Sequence, residues 1–170
     1  MNAIATDITQ TEIDPLALRD VLGKYATGVT VVTTLGDNGA PVGLAANSFT
    51  SVSLDPPLIL WSLALKAPSL GAFREHSSFV INIMCEESKD LVMNFSRPST
   101  DKFAGVDWQP GLDGAPVLTA ASATLECETV ERISGGDHEI YIGRVRRISK
   151  SEKAPLLFHQ GQFAQLGENL

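Results

Sequence analysis

Two short segments of the chain place basic side chains among small hydroxyl residues in loops. In SRPSTDKFAG, Arg97 and Lys102 stand close to Ser96, a combination that can hold a phosphate by charge-assisted hydrogen bonds. In LKAPS, Lys66 and Ser69 come before a predicted helix, whose free backbone N–H groups favour an anion. Both segments are consistent with a site for an anionic ligand. The alternative for the first segment is a solvated loop, and the alternative for the second segment is an ordinary helix N-cap.

A third segment, GGDHEIYIG, places an imidazole at the start of a predicted strand. Its tight turn places Asp137 and His138 together, and an imidazole in that position can donate to a ligand or orient one. The alternative is a turn histidine in solvent, which the spacing alone favours.

A polar stretch with almost no formal charge runs through GLAANSFTSVSLDPPLILWSL, residues 43 to 63. Amides and hydroxyls crowd its first half, apolar side chains fill its second half, and Asp55 carries the one charge. Such short donors beside a hydrophobic strand suit a wall that faces a polar, uncharged ligand surface, because buried hydroxyls and amides need partners. An exposed strand rich in Ser and Thr is the alternative.

Several other chemistries lack the residues they need. His76, His138 and His159 are too widely separated to form a recognisable metal set. Cys85 and Cys127 lie in apolar surroundings without metal-ligand spacing, which favours reduced core thiols. No serine lies in a nucleophile elbow, and the glycines form neither a dinucleotide fingerprint nor a P-loop. Covalent hydrolysis and metal catalysis are therefore not expected.

Length and composition predict one globular domain of residues 15–170 behind a flexible N-terminal arm, residues 1–14. The chain has 170 residues, of which 44% are hydrophobic and 19% charged. No apolar run approaches the roughly 20 residues that span a bilayer, and no secretory signal is recognisable, so a cytoplasmic protein without a membrane segment is expected. A net charge of -7 argues against a nucleic-acid surface and requires any anionic ligand to be held by a local basic cluster.

The helices that must position these residues are predicted from capping and periodicity. The first, in PLALRDVLGKYATG, has Asp14 as N-cap and Pro15 at its first position, with Gly28 beyond its end. It is amphipathic, with Leu16, Val21, Leu22 and Tyr25 near one face. Two more helices are predicted in APSLGAFREHSS, capped by Ser69, and in ESKDLVMNFS.

Strands dominate the rest of the chain. They are predicted in VTVVTTL, VGLAANSFTSVSL, PPLILWSL, FVINIM, ASATLECETVERIS, HEIYIGRVRRISK and a last short one near APLLFHQGQFAQLG. Many β-branched strands, short helices and no regular βαβ alternation predict a mainly β fold: an antiparallel sheet closed as a barrel with peripheral helices.

Taken in order, these segments resemble the short-chain flavin reductases, the small components of two-component flavin-dependent monooxygenases. The segments that carry the resemblance, above all ANSFTSVSLDPPL, DKFAGVDW and GDH, cover nearly everything after residue 15. The resemblance implies an FMN-binding split β-barrel and a homodimer with the flavin near the dimer interface. It also implies that the polar stretch faces the isoalloxazine edge and the ribityl chain.

The resemblance assigns roles residue by residue. It places the nicotinamide and the flavin near His138 and the flavin phosphate near Ser96, Arg97 and Lys102. Phe158 and Phe163 stand where many relatives carry tyrosine, so no hydroxyl contact is expected from either. The remaining implied flavin contacts are Gly43, Leu44, Ala45, Asn47, Ser48, Ser62, Leu63, Lys66 and Ser69.

The implied function is that of an NAD(P)H:flavin oxidoreductase, which passes a hydride to FMN or FAD and supplies reduced flavin to a partner oxygenase. The cofactors carry this chemistry, so no acid–base dyad is needed. Two alternatives remain open: an FMN-dependent oxidase or reductase of another small molecule on the same barrel, and a flavin-binding module without turnover.

Overall fold

Antiparallel strands and short helices make up the computed structural model, which describes residues 12–168. The helices are α1 (Pro15–Leu22), α2 (Leu70–Glu75) and α3 (Lys89–Ser96), and single 3-10 turns occupy Glu86–Ser88 and Leu112–Gly114. The strands are β1 (Thr27–Gly28), β2 (Thr30–Leu35), β3 (Pro41–Ala46), β4 (Thr50–Leu54), β5 (Pro57–Ala64), β6 (Ser78–Met84), β7 (Trp108–Pro110), β8 (Pro116–Leu118), β9 (Ala121–Gly135), β10 (His138–Lys150), β11 (Leu157–His159) and β12 (Gln162–Ala164).

The main sheet has seven strands in the order β3, β2, β6, β9, β10, β5, β4, and all neighbours are antiparallel. Strands β3 and β4 lie at its opposite edges although only residues 47–49 connect them. A connection of that length spans about 14 Å, whereas seven flat strands would separate the edges by roughly 29 Å. The sheet must therefore curl into a barrel, and the predicted mainly β barrel with peripheral helices is confirmed.

Ser48 hydrogen-bonds the connecting segment, residues 47–49, to the barrel wall. Its hydroxyl donates to the Ser62 carbonyl oxygen at 3.1 Å and accepts from the Ser62 amide at 3.0 Å. A single side chain thus hydrogen-bonds the 47–49 connection to β5.

The core has two parts on the two faces of β2. Val32 points to an aromatic cluster around Trp61, whose ring stacks on Tyr141 with a centroid distance of 5.0 Å. Val31 packs instead in a second cluster with Val92 and Phe95 of α3. Because both faces of β2 are buried, its segment VTVVTTL shows no alternation of polar and apolar residues.

The two cysteines are buried free thiols, as predicted. Burial raises the pKa of Cys127 to about 12 and leaves the thiolate, the reactive form, almost unpopulated at neutral pH. We expect a thiol reagent at pH 8 to label neither cysteine in the folded protein and to label both in urea. Rapid labelling of the native protein would contradict this burial.

The first helix confirms the predicted cap but not the predicted end. The Asp14 carboxylate accepts from the amides of Leu16 and Ala17, and Pro15 opens the helix. The helix ends at Leu22, before Gly23, rather than near Gly28. The prediction ran too long because Tyr25 continues the apolar spacing past the last helical turn.

Two predicted strands are each divided in the structure. VGLAANSFTSVSL breaks at 47–49 into β3 and β4. APLLFHQGQFAQLG forms the hairpin of β11 and β12, because Gln160 and Gly161 adopt φ values of 48° and 77° at the turn. The predicted Gly-Gly-Asp turn joins β9 to β10: Gly135 ends β9, and Gly136 and Asp137 form the turn. No helix among the described residues is long and apolar enough to cross a membrane.

Candidate functional site

A cavity of about 1020 Å³ opens between the edge strand β3, the start of α2 and the loop that follows α3. Its lining draws on three separate segments: 40–45, 67–72 and 95–103. The predicted ligand residues that the structure brings together here are Gly43, Leu44, Ala45, Ser69, Ser96, Arg97 and Lys102.

The β3 wall of the cavity offers main-chain groups. Within the main sheet β3 pairs only with β2, so alternate N–H and C=O groups along its other edge have no partner strand. Such a row of donors and acceptors can hydrogen-bond the edge of a flat heterocycle that has carbonyl and imide groups.

Gly43 is needed where α3 approaches β3. A Cβ on Gly43 would lie 2.8 Å from Cε1 of Phe95, a ring buried in the second core cluster. The glycine therefore brings α3, and with it the loop that follows, close to the β3 edge.

We expect Gly43→Ala to lower the free energy of unfolding by about 1 to 2 kcal/mol, because the added methyl overpacks against a buried ring. Urea unfolding would measure the loss. Gly28→Ala is the matched control, since a Cβ there meets nothing within 4 Å. Equal stability of Gly43→Ala and wild type would contradict the close approach of α3 to β3. In the double variant, Phe95→Leu should restore part of the stability that Gly43→Ala loses.

The loop after α3 holds two cations with different surroundings. Arg97, at the C-cap of α3, is exposed and has no hydrogen bond or ion pair to any side chain within residues 12–168. The Lys102 ammonium instead donates to the Phe95 carbonyl oxygen at 2.9 Å, and its partial burial lowers its pKa. The Asn94 amide donates to the Lys102 carbonyl oxygen at 2.8 Å and fixes the loop on α3. Within the described residues Arg97 is therefore available to an anion, whereas Lys102 caps a helix end.

The hydroxyl groups of the lining also differ. Ser69 occupies the N-cap position of α2, as predicted, but its side chain makes no capping hydrogen bond and stays available to the cavity. The Ser96 hydroxyl donates back to the Val92 carbonyl oxygen at 2.8 Å, which leaves only its lone pairs for a ligand.

His138 lies beside the wall of the cavity rather than in it. It pairs with Ala64 at the end of β5, three residues before Ala67 of the lining. Its Nδ1 lies 2.7 Å from the Asp137 carboxylate, and this hydrogen bond lowers the pKa of Asp137. The Asp137 carbonyl oxygen accepts from the Leu65 amide at 2.9 Å, which ties the turn to the end of β5.

An ion pair that sequence reasoning missed joins α2 to the strand of His138. The Arg74 guanidinium reaches both carboxylate oxygens of Glu139, at 3.2 and 3.3 Å. The Tyr141 hydroxyl donates to the same carboxylate at 2.7 Å, and the Arg74 hydrogen bond lowers the pKa of Glu139. The cavity wall at α2 is thus fixed relative to His138. The partners are 65 residues apart in the chain, so no local pattern indicated them.

The other predicted contacts lie outside this cavity. Asn47 lines a smaller cavity of about 320 Å³ beside Gly28 and Thr30. Leu63 is only 1% exposed and lies in the aromatic cluster, so the predicted contact of Leu63 with a ligand has no support in the structure. Lys66 is exposed next to the lining, and Ser48 and the Ser62 backbone bond one another. Part of the polar stretch therefore closes the barrel rather than lining the large cavity.

The residues present suit a flavin nucleotide and give no support to a metal. A cavity of this size accepts a ligand of several rings, and it combines a free strand edge with an uncommitted guanidinium. Within residues 12–168 no cluster of three His, Cys, Asp or Glu side chains can hold a metal ion.

This barrel architecture is shared with solved flavin reductases. The NADH:FAD oxidoreductase of Streptomyces globisporus, solved in complex with NAD and FAD fragments, superimposes with a TM-score of 0.85 at 36% identity, over 93% of this chain and 98% of that one. The flavin reductase component of styrene monooxygenase from Pseudomonas putida S12 gives 0.82 at 29% identity, over 89% and 98%.

The chain belongs to the flavin reductase family, since the model of the flavin reductase like domain matches residues 22–167. The reductase subunit HsaB of a flavin-dependent monooxygenase from Rhodococcus jostii is 41% identical over 152 residues, which are 89% of this chain and 77% of the relative. A flavin reductase from Pseudomonas putida is 34% identical over 96% of both chains. The chain spans only 50% of a 44% identical relative from Rhizobium meliloti.

Proposed function

We propose that this protein is an NAD(P)H:flavin oxidoreductase that supplies reduced flavin to a partner oxygenase. The observation that carries the proposal is one cavity that joins the unpaired edge of β3 to an uncommitted Arg97. The names of the relatives agree with it, since several are reductase subunits of monooxygenases.

In this proposal the parts of a flavin nucleotide lie along different walls of the cavity. The ring edge lies along Gly43, Leu44 and Ala45, whose main-chain groups can pair with it. The phosphate lies at Arg97, with Ser69 as a further donor from the opposite wall.

Hydride transfer is chemistry that a bound flavin and a reduced nicotinamide supply between them. This chain's residues bind and orient: the strand edge and Arg97 fix the flavin site, while His138 positions the nicotinamide beside it. A site that only aligns two rings needs no proton relay.

The test is oxidation of NADH and of NADPH by the purified protein, each with FMN, FAD, riboflavin or no flavin. We expect oxidation with at least one nucleotide when flavin is added or already bound, and none in its absence. Folded protein that stays inactive in every combination would refute the proposal.

We also propose that the protein acts as a homodimer. The predicted apolar face of α1 has no partner among residues 12–168: Leu16 and Leu22 are 74% and 63% exposed, and Tyr25, just beyond the helix, is 79% exposed. Leu54, on the edge strand β4, is 95% exposed. Because monomers seldom leave so many large apolar side chains in water, a second copy of the chain is the expected cover.

Sedimentation velocity tests the dimer. We expect wild type to sediment as a dimer and Leu22→Glu or Leu54→Glu to shift it towards monomer, since a buried unpaired carboxylate opposes association. A monomeric wild type at micromolar concentration would contradict the proposal.

A further inference from the structure

The wall segment, residues 65–74, follows β5 and is held at both ends by the two residues that flank His138. At its start, the Leu65 amide donates to the Asp137 carbonyl oxygen at 2.9 Å. At its end, the Arg74 guanidinium donates to both carboxylate oxygens of Glu139, at 3.2 and 3.3 Å. The reductase proposal gives a role to His138 but none to these attachments. Between them lie the residues of the segment that line the large cavity: Ala67, Pro68, Ser69 and Ala72.

Strand β10 is the fixed side of this arrangement. It has a partner strand on each side, so that Glu139 pairs with Leu63 of β5 and with Ser134 of β9. The Glu139 carboxylate also accepts from the hydroxyl of Tyr141 at 2.7 Å, and Tyr141 is fully buried in the aromatic cluster. The carboxylate is therefore held in place independently of Arg74.

Helix α2, in contrast, takes its position from tertiary contacts. It has six residues, whereas an isolated helix shorter than about 12 residues is marginal in water. Its one buried side chain is Phe73, whose ring meets Trp61 at a centroid distance of 4.9 Å. A single buried side chain fixes one point of the helix, so the tilt of α2 depends on the contacts of Arg74. Because Ala72 lines the cavity two residues earlier, that tilt sets where the wall lies.

We propose that Arg74 and Glu139 are positioning residues for hydride transfer, which set the distance between the α2 wall of the cavity and His138. The inference rests on the proposed function, in which the flavin occupies the cavity and His138 places the nicotinamide beside it. A misplacement of about 1 Å can slow a reaction about 100-fold, so hydride transfer depends steeply on how the two rings meet. Flavin binding depends less on the ion pair, because the β3 edge and Arg97 lie on other walls. Loss of the pair should therefore lower kcat more than flavin affinity.

The decisive experiment measures kcat at saturating flavin and nicotinamide nucleotide, and the dissociation constant of riboflavin, in Arg74→Ala, Glu139→Gln and the double variant. Glu139→Gln removes the charge but keeps an oxygen that can accept from Tyr141, so the buried hydroxyl keeps a partner. We expect each single variant to lower kcat about 10-fold, part of the loss from a full misplacement. The double variant should be no slower than either single variant, because the two residues act as one unit. Riboflavin affinity should change little.

Arg146→Ala is the matched control. Arg146 also leaves β10 to form an ion pair, since its Nε donates to the Glu128 carboxylate at 2.9 Å. Its side chain is 46% exposed, against 47% for Arg74, and it lies outside the cavity lining. This control should keep the wild-type kcat. Arg74→Lys, which keeps the charge but not the two-pronged geometry, should recover part of the kcat that Arg74→Ala loses.

Three results would overturn the positioning role. They are a wild-type kcat in Arg74→Ala, losses that multiply in the double variant, and an equal loss of kcat in Arg146→Ala. A fall in riboflavin affinity as large as the fall in kcat would overturn it too, because the pair would then shape the flavin cavity itself. A wild type that oxidises neither nucleotide with any flavin would instead refute the proposed function, so the two failures are distinguishable.

Discussion

Replacing Arg97 by alanine should weaken FMN and FAD about 10-fold to 100-fold and leave riboflavin almost unaffected. The structure leaves this guanidinium without a protein partner in the described chain, at the point where the β3 wall meets the loop after α3. A hydrogen bond to a charged group contributes about 1.5 to 3 kcal/mol, which corresponds to that range of affinity. Fluorescence or calorimetric titration with the three flavins would measure it.

Two variants separate phosphate binding from general effects of charge and fold. Lys150→Ala removes the same charge far from the cavity and should leave all three affinities unchanged. Lys102→Ala should lower stability as well as affinity, because its ammonium holds the Phe95 carbonyl at the end of α3. Salt should weaken FMN in wild type more than in Arg97→Ala, since exposed charge pairs are screened. Equal losses for riboflavin and FMN would show that Arg97 supports the ring pocket or the fold instead.

His138→Ala should lower turnover on the order of 100-fold, the scale of a misplaced reactant, while flavin affinity changes little. The imidazole stands at the end of β10, is held by Asp137 at 2.7 Å, and adjoins the wall that begins at Ala67. If His138 has the proposed role, its loss changes how the nicotinamide is placed against the flavin and leaves flavin binding unchanged. Steady-state kinetics and flavin titration on the same preparation would separate the two.

The control for this variant is His76→Ala, which removes an imidazole from the other end of α2. It should keep wild-type kcat and KM. Unchanged kinetics in His138→Ala would show that His138 is an ordinary turn residue. A parallel loss of flavin affinity would show that His138 belongs to the flavin site itself.

Local chemistry predicted much of the fold and part of the site. Asp14 and Pro15 fixed the start of α1 through hydrogen-bonding groups only two or three residues away, and the Gly-Asp turn fixed the hairpin of β9 and β10. The break at 47–49 was not predictable in this way, because it depends on Ser48 meeting Ser62 across the closed barrel.

The candidate site also combines features that nearby residues determine with features that depend on tertiary contacts. Arg97 and Ser69 were predicted because small hydroxyl and basic residues in loops are typical of anion sites, and the structure brings both into the lining of the large cavity. The hydrogen bond from the Lys102 ammonium to the Phe95 carbonyl oxygen depends on where α3 ends. The ion pair of Arg74 with Glu139 depends on the sheet topology. Neither could therefore be predicted from neighbouring residues. Gly43 was predicted as a flavin contact, and the structure adds that α3 packs against it.

The central claim, that the protein makes reduced flavin as a product, is tested most directly by anaerobic turnover with a large excess of FAD or FMN over protein. Filtration after the reaction separates free flavin from protein, and the absorbance of the filtrate reports how much is reduced. We predict many equivalents of free reduced flavin per protomer, matched by the nicotinamide oxidised. Reduction that stops at one equivalent and stays with the protein would contradict the account, because the flavin would then be a resident group of another oxidoreductase or of a binding module.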